Sequence, residues 1–185
     1  MVILASESPR RRELLAQITN DFEVRSADID EISAAADPFA VPELNARAKA
    51  ACVAQENPDA LVIGADTVII FENKVIGKPR DPDDARRILK AFAGKTHFTV
   101  TGVALRRIGK TPLDISYCEV SEVKFKQYTD DTIDRYLSLV HVLDKAGAYA
   151  LQEHPELIVE SYSGEAENII GLPLLRLKRE LDSIM

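Results

Sequence analysis

The chain has 185 residues, 46% of them apolar and 29% charged, enough to bury a core in a single domain spanning residues 1–185. Its formal net charge of −7 offers no basic face of the kind a general nucleic-acid binder carries. No apolar run approaches the ~18 residues of a membrane-spanning helix, and the N-terminus has no secretion pattern, so a cytoplasmic protein is expected.

In chain order, VILA at residues 2–5 reads as a buried strand, and a helix follows from Ser8 to about Ile18. A loop carries the acidic run ADIDEIS, residues 27–33. Pro42 opens a second helix that ends before Pro58. LVIGADTVIIF, residues 61–71, is apolar on both alternating faces and reads as a central strand. Glu72-Asn73-Lys74 forms a turn and VIGKP returns as a strand. Asp81-Pro82-Asp83-Asp84 opens a third helix, which stops at Gly94. Two long strands cover about 96–106 and 114–126, and a helix runs from Thr129 to about Leu139. Strand-like stretches lie at Ala148–Gln152 and Leu157–Tyr162, and Pro173 leads into a C-terminal helix. Strands and helices are mixed without strict alternation. The expected class is therefore α/β, with a long mixed twisted sheet and flanking helices.

Arg10, Arg11 and Arg12 fill the first turn of the helix capped by Ser8. Cations are mildly unfavourable there, because the helix N-terminus already carries roughly half a positive charge. The helix of Asp81 obeys the dipole rule, with three aspartates at its start. An anion would complete the arginine turn, since free backbone N–H groups and guanidinium forks suit a phosphate. Arg11 precedes Leu14, Leu15 and Ile18 by three, four and seven residues, so it lies in line with the buried stripe. Arg10 and Arg12 lie about 100° to either side. The alternative is a solvent-facing basic turn that costs about 0.3–1 kcal/mol per charge.

Asp66 stands inside an otherwise apolar strand. A lone ionised carboxylate there is costly unless it is paired, hydrogen-bonded or metal-bound. It either serves chemistry, with Thr67 beside it, or caps backbone amides at an irregularity marked by Gly64. A turn centred on Asn73 sets Lys78 opposite Val68 and diagonal to Asp66; a one-residue slip would reverse its side. Glu31 is a candidate metal ligand or a plain exposed acid. The cysteines, Cys52 and Cys118, and the histidines, His97, His141 and His154, are too scattered for a zinc site or a Ser-His-Asp triad. Gly94-Lys95-Thr96 and Gly109-Lys110-Thr111 are not P-loops, because Leu89 and Ala104 stand where the loop needs its first glycine.

LASESPRRRELL, DIDE, ARAKA, VIGADTVI, GKPRDPDDA, GKTHFTVTGVAL, DKAGAYALQ and NIIGLPL follow one another over nearly the whole chain. In this order they resemble the Maf family of nucleoside triphosphate pyrophosphatases. The resemblance implies a fold similar to that of inosine triphosphate pyrophosphatases, with two lobes around a cleft. It implies hydrolysis of a nucleoside triphosphate to monophosphate and pyrophosphate with a divalent metal, Mg or Mn. It implies Asp66 as general base and metal ligand, Glu31 as metal ligand, and Ser8, Arg11, Lys49 and Lys78 as phosphate-binding groups. Arg10, Thr67 and Gln152 match the members acting on dTTP and UTP, and a homodimer is the family's common habit. A purine or modified-base substrate, or a nucleotide-binding role in cell division without turnover, are the alternative expectations. The chain departs from the family's pattern at His141-Val142-Leu143, at Glu153, and at Ala166 and Glu167.

Overall fold

The computed structural model describes residues 1–184. Among them, the strands form one seven-stranded mixed sheet. β1 (Val2–Ala5) is wholly buried and leads to α1 (Pro9–Leu15), which Ser8 caps and Pro9 opens. β2 (Phe22–Val24), a short edge strand, precedes the long coil that ends at α2 (Val41–Glu56). β3 (Leu61–Phe71) and β4 (Lys74–Ile76) form a hairpin, followed by α3 (Pro82–Phe92). The long strands β5 (Thr96–Arg107) and β6 (Leu113–Phe125) come next, then α4 (Asp130–Leu139) and α5 (Pro155–Ile158). β7 (Val159–Ser163), α6 (Ala166–Ile170) and α7 (Leu174–Ile184) complete the described chain. None of these helices is long and apolar enough to cross a membrane.

The neighbours of β3 decide where a ligand can enter. β5 pairs with it antiparallel from Val62 to Ile70. On its other edge, β1 pairs parallel as far as Gly64, and β4 pairs antiparallel only from Ile69. Residues 65–68 therefore have an edge with no strand against it. A crevice opens there, at the point where the partner of β3 changes and β1 peels away toward α1. Such switch points are where open α/β sheets bind ligands.

Two glycines set the height of α2 above the sheet. A Cβ on Gly64 would lie 2.2 Å from the carbonyl oxygen of Ala46, and one on Gly102 would lie 2.3 Å from the carbonyl of Pro42. Gly102 is the cross-strand partner of Asp66. The helix answers with alanines at 46 and 50, both fully buried, so backbone nearly touches backbone. The apolar stripe of α3 (Ala85, Ile88, Leu89, Phe92) packs elsewhere, in a core shared with Phe125, Tyr136 and Tyr149.

Several details differ from the sequence-based expectation. Ala148–Gln152 is not a strand: a 3-10 turn over Ala146–Ala148 runs into irregular turns, with Gly147 and Ala148 both at positive φ. The stretch expected as a strand over 157–162 begins as the end of α5, and its strand starts at Val159. β2 was not foreseen, because three residues carry too little alternation to be recognised. The hairpin turn sits on Glu72 and Asn73, both left-handed, which pairs Phe71 with Lys74 and Ile69 with Ile76. That register differs by one residue from the expected one. Lys78 is thus past the end of β4, exposed, rather than on a strand diagonal to Asp66. Both GKT runs are turns at strand ends, as expected.

His97 is 1% exposed among the rings of Phe92, Phe125 and Tyr149, and neither ring nitrogen has a hydrogen-bond partner. Burial drives its pKa from 6.5 down to about 4.

Three substitutions test this packing. Gly64→Ala should destabilise the protein by about 1–3 kcal/mol in urea unfolding, because backbone rather than a flexible side chain stands in the way. Gly77→Ala, with open space around its Cβ position, should change stability by less than about 0.5 kcal/mol. For His97 the folded pKa lies below the unfolded value, so the unfolded chain takes up the proton first as pH falls. Its contribution is complete above pH 6.5 and declines toward pH 4, where about 3 kcal/mol is lost. His97→Phe should flatten that part of the stability–pH curve.

Candidate functional site

Ser8, Arg10, Arg11, Glu31, Lys49, Asp66, Thr67, Lys78 and Gln152 all line one cleft of about 960 Å³. The cleft runs through the gap in the edge of β3. Neighbouring strand residues point to opposite faces, so Asp66 and Thr67 meet the cleft from opposite sides of the sheet.

On the α2 side, Asp66 is 7% exposed. Its Oδ1 accepts from Lys49 Nζ at 2.9 Å and its Oδ2 accepts from Asn45 Nδ2 at 2.9 Å. Asn45 and Lys49 are four residues apart on α2, hence on one face of the helix, and the glycine contacts press that face onto β3. The buried carboxylate is therefore both paired and hydrogen-bonded, the condition its burial requires. Lys49 Nζ also meets Glu31 Oε1 at 2.7 Å and the Ala65 carbonyl at 3.4 Å. Glu31 keeps about half of its side chain exposed. Asn45 does a second job. Its Oδ1 accepts from the N–H of Ile32 at 2.9 Å and its Nδ2 donates to the Ile32 carbonyl at 3.0 Å, which holds the acidic loop against the helix.

On the other side, Arg11 turns inward as its position in the apolar stripe requires. Its Nε donates to the Gly171 carbonyl at 2.9 Å, Nη1 to Ser6 Oγ at 3.2 Å and Nη2 to Thr67 Oγ1 at 3.0 Å. Burial lowers its pKa while the charges of Asp66 and Glu31 act in the opposite sense, and a guanidinium remains charged at neutral pH regardless. Thr67 Oγ1 lies 3.0 Å from Thr101 Oγ1, and the Thr101 hydroxyl donates to the Asn168 carbonyl at 2.9 Å. Ser8 Oγ caps the N–H of Arg11 at 3.5 Å.

At the rim, Arg10 Nη1 pairs with Asp144 Oδ2 at 3.0 Å. Lys145, nearly buried, binds Asp144 Oδ1 at 3.0 Å, Glu153 Oε1 at 3.3 Å and the His141 carbonyl. Burial works against ionisation of Asp144, but Lys145 and Arg10 outweigh it and hold the carboxyl below the ordinary range. Glu153, one of the departures from the family's pattern, thus has a cationic partner here. Lys78 and Gln152 are exposed on the same rim, and Arg12 points to solvent away from the cleft.

Sequence reasoning missed Asn45, Ser6, Thr101, Asp144, Lys145 and Asn168. A polar residue within an otherwise apolar or alanine-lined stripe was the available signal for Asn45 and Thr101. Lys145 and Asp144 lay inside a quoted motif without an assigned task. Five cationic side chains reach the cleft (Arg10, Arg11, Lys49, Lys78 and Lys145) in a protein whose net charge is −7. Glu7, Asp28, Glu31, Asp66 and Asp144 line it as well, and Arg10, Lys49 and Lys145 are paired with carboxylates, which leaves Arg11 and Lys78, among the described residues, as the lining cations without a carboxylate partner. Among the described residues, no three His, Cys, Asp or Glu side chains converge as a protein-only metal site. Glu31 and Asp66 do converge, on the ammonium of Lys49.

A family model described as Maf-like protein matches residues 1–184. The chain belongs to the Maf family. It is 43% identical to a dTTP/UTP pyrophosphatase from Akkermansia muciniphila, across 99% of this chain and 96% of that protein. It is 42% identical to a dTTP/UTP pyrophosphatase from Dictyoglomus turgidum, across 98% and 94%. A Bacillus cereus relative of the same description is 39% identical, across 97% and 93%. In fold, the chain is similar to a HAM1 protein from Coxiella burnetii, with TM-score 0.58 and 14% identity over 98% of both chains. The Ham1 protein of Staphylococcus aureus gives 0.55 and 14%, over 100% of this chain and 99% of that one. The expected class, a long mixed sheet with flanking helices, is the one observed.

Breaking the buried pair tests its energetics. Lys49→Met leaves a buried carboxylate without its cation and should cost about 3–5 kcal/mol. Adding Asp66→Asn to that variant should recover a large part of the loss, as urea denaturation of the two single variants and the double variant would show.

Proposed function

We propose that this protein hydrolyses dTTP and UTP to the monophosphate and pyrophosphate, removing triphosphates from the nucleotide pool. The observation that carries the reading is a buried, ionically paired carboxylate, Asp66, at the foot of a cleft with five cationic side chains. The names of the relatives, at 39–43% identity over nearly their full length, support the base preference.

In this reading, Asp66 takes a proton from a water that attacks the α-phosphorus, and pyrophosphate departs. Lys49, Lys78 and Arg11 neutralise the triphosphate and stabilise the leaving group. The hydroxyl of Ser8 and the first turn of α1 contact phosphate. Arg10, Thr67 and Gln152 meet the nucleoside end; the amide of Gln152 can both donate to and accept from a base edge.

The two carboxylates that converge on the Lys49 ammonium fit a divalent cation. Mg²⁺ is commonly held by one or two carboxylates with the rest of its shell from substrate phosphate and water. Glu31 and Asp66 would hold it, and it would supply charge neutralisation and a more acidic water. The protein's own part is to keep both carboxylates fixed: Asn45 anchors the Glu31 loop and Asp66 at once.

Asp66→Asn should lower pyrophosphate release from UTP by at least about 100-fold while thermal unfolding stays cooperative. Full activity in that variant would remove Asp66 from the chemistry. A panel of triphosphates assayed with the unaltered protein should give dTTP and UTP the highest kcat/KM; a purine triphosphate at the top would overturn the base assignment.

A further inference from the structure

Lys49 has committed every proton it can give. An ammonium carries three N–H groups and accepts nothing. Those of Lys49 meet Glu31 Oε1 at 2.7 Å, Asp66 Oδ1 at 2.9 Å and the Ala65 carbonyl at 3.4 Å. None is left over for a phosphate. Arg10 and Lys145 are engaged as well, through Asp144 and Glu153. An anion entering the cleft therefore meets Arg11 and Lys78 first. Lys49 can serve a triphosphate only after it has let go of a carboxylate.

The groups that hold its ammonium form a cup of three oxygens, two from carboxylates and one from a carbonyl. Mg²⁺ and Mn²⁺ favour the same hard donors. The cup itself is held in place. Asp66 and Ala65 belong to β3, and Asp66 Oδ2 accepts from Asn45 Nδ2 at 2.9 Å. Asn45 also grips both backbone groups of Ile32, next to Glu31, and Cys52 Sγ donates to the Asp28 carbonyl at 3.8 Å. Residues 45, 49 and 52 of α2 are four and seven positions along from the first, hence on one helix face, and that face carries the acidic loop. About half of the Glu31 side chain is exposed, which opens the cup to the cleft. The part free to move is the lysine, a compact charge on a flexible four-carbon stem.

We propose that Lys49 is a resident counter-ion that exchanges: it yields the three oxygens to a divalent cation and carries its own charge to the triphosphate. The proposal rests on the reading of Glu31 and Asp66 as the residues that hold such a cation. Two cations cannot share these oxygens, because their charges repel at this range. The exchange keeps both carboxylates neutralised throughout. It also makes the two ligands reinforce each other, since each favours the position of Lys49 that the other requires. Without nucleotide the ammonium competes for the cup, and the protein's own hold on a divalent cation is weak. Removing the ammonium should then tighten metal binding, although the phosphate loses a ligand.

The test titrates Mn²⁺ alone, with no nucleotide, into the unaltered protein, Lys49→Met and Lys49→Gln, and follows the free ion by electron paramagnetic resonance. Both variants should bind Mn²⁺ at least about tenfold more tightly than the unaltered protein. Mn²⁺ should also raise their unfolding temperature more than it raises that of the unaltered protein. Adding Glu31→Gln to Lys49→Gln should remove the gain, which ties it to the cup. Lys78→Gln takes the same charge from the same cleft without touching the cup, and should leave Mn²⁺ binding nearly unchanged; an equal gain there would count against the exchange. A Lys49 variant that folds only with Mn²⁺ supports it, and one that stays unfolded with Mn²⁺ counts against it. Folded Lys49 variants that bind Mn²⁺ no more tightly would overturn the exchange alone, if pyrophosphate release from UTP by the unaltered protein still needs a divalent cation. Release that continues undiminished in excess chelator would overturn the metal reading, and the exchange with it.

Discussion

The site depends on a single electrostatic constraint: a carboxylate buried inside a sheet must be given a cation and a hydrogen-bond donor by the protein. Asp66 obtains both from one turn of α2, through Lys49 and Asn45. That turn can reach the strand only because Gly64 and Gly102 have no side chains to hold it off. The same helix turn ties down the loop of Glu31. Backbone contact, buried pair and acidic loop are therefore one mechanical unit. A change to any of them is felt at the carboxylate.

The arginine turn finds its explanation in a different helix. Arg11 is unfavourable at the N-terminus of α1, but its guanidinium extends to the C-terminal end of α6, where the Gly171 carbonyl accepts its Nε–H. Carbonyls at helix ends lack intrahelical partners, and cations are favourable there. Thr101 satisfies a second carbonyl of the same short helix, that of Asn168. Arg11 thus joins the first and penultimate helices across the cleft. Two of its N–H groups, one on each terminal nitrogen, have no acceptor among the described residues.

Most of the architecture was legible from local pattern. The long strands, the caps of α1 and α3, and the helix of Pro42 have strong periodicity or unambiguous end signals. Asp66 was legible because it contradicts its apolar surroundings, and Arg11 because of its phase relative to Leu14, Leu15 and Ile18. What failed was set by long-range geometry. The register of Lys78 turned on whether the hairpin closed over two residues or three. Asn45, Asp144 and Asn168 act through partners 21, 134 and 47 positions away, distances no local period can encode. The segment 148–152 reads as a strand by composition, yet it opens on Gly147 and Ala148 at positive φ and continues in turns.

The gap in the edge of β3 gives the cleft an internal partition. Residues 65–68 form the wall, and consecutive side chains on that wall belong to separate packing environments, α2 on one side and α1 with α6 on the other. The hydrogen bonds of Thr67 and Thr101 stand on one face of that wall, and the Asp66, Lys49 and Asn45 cluster stands on the other. A substitution packed against one face of that wall therefore reaches the groups of the other face only through the backbone of β3.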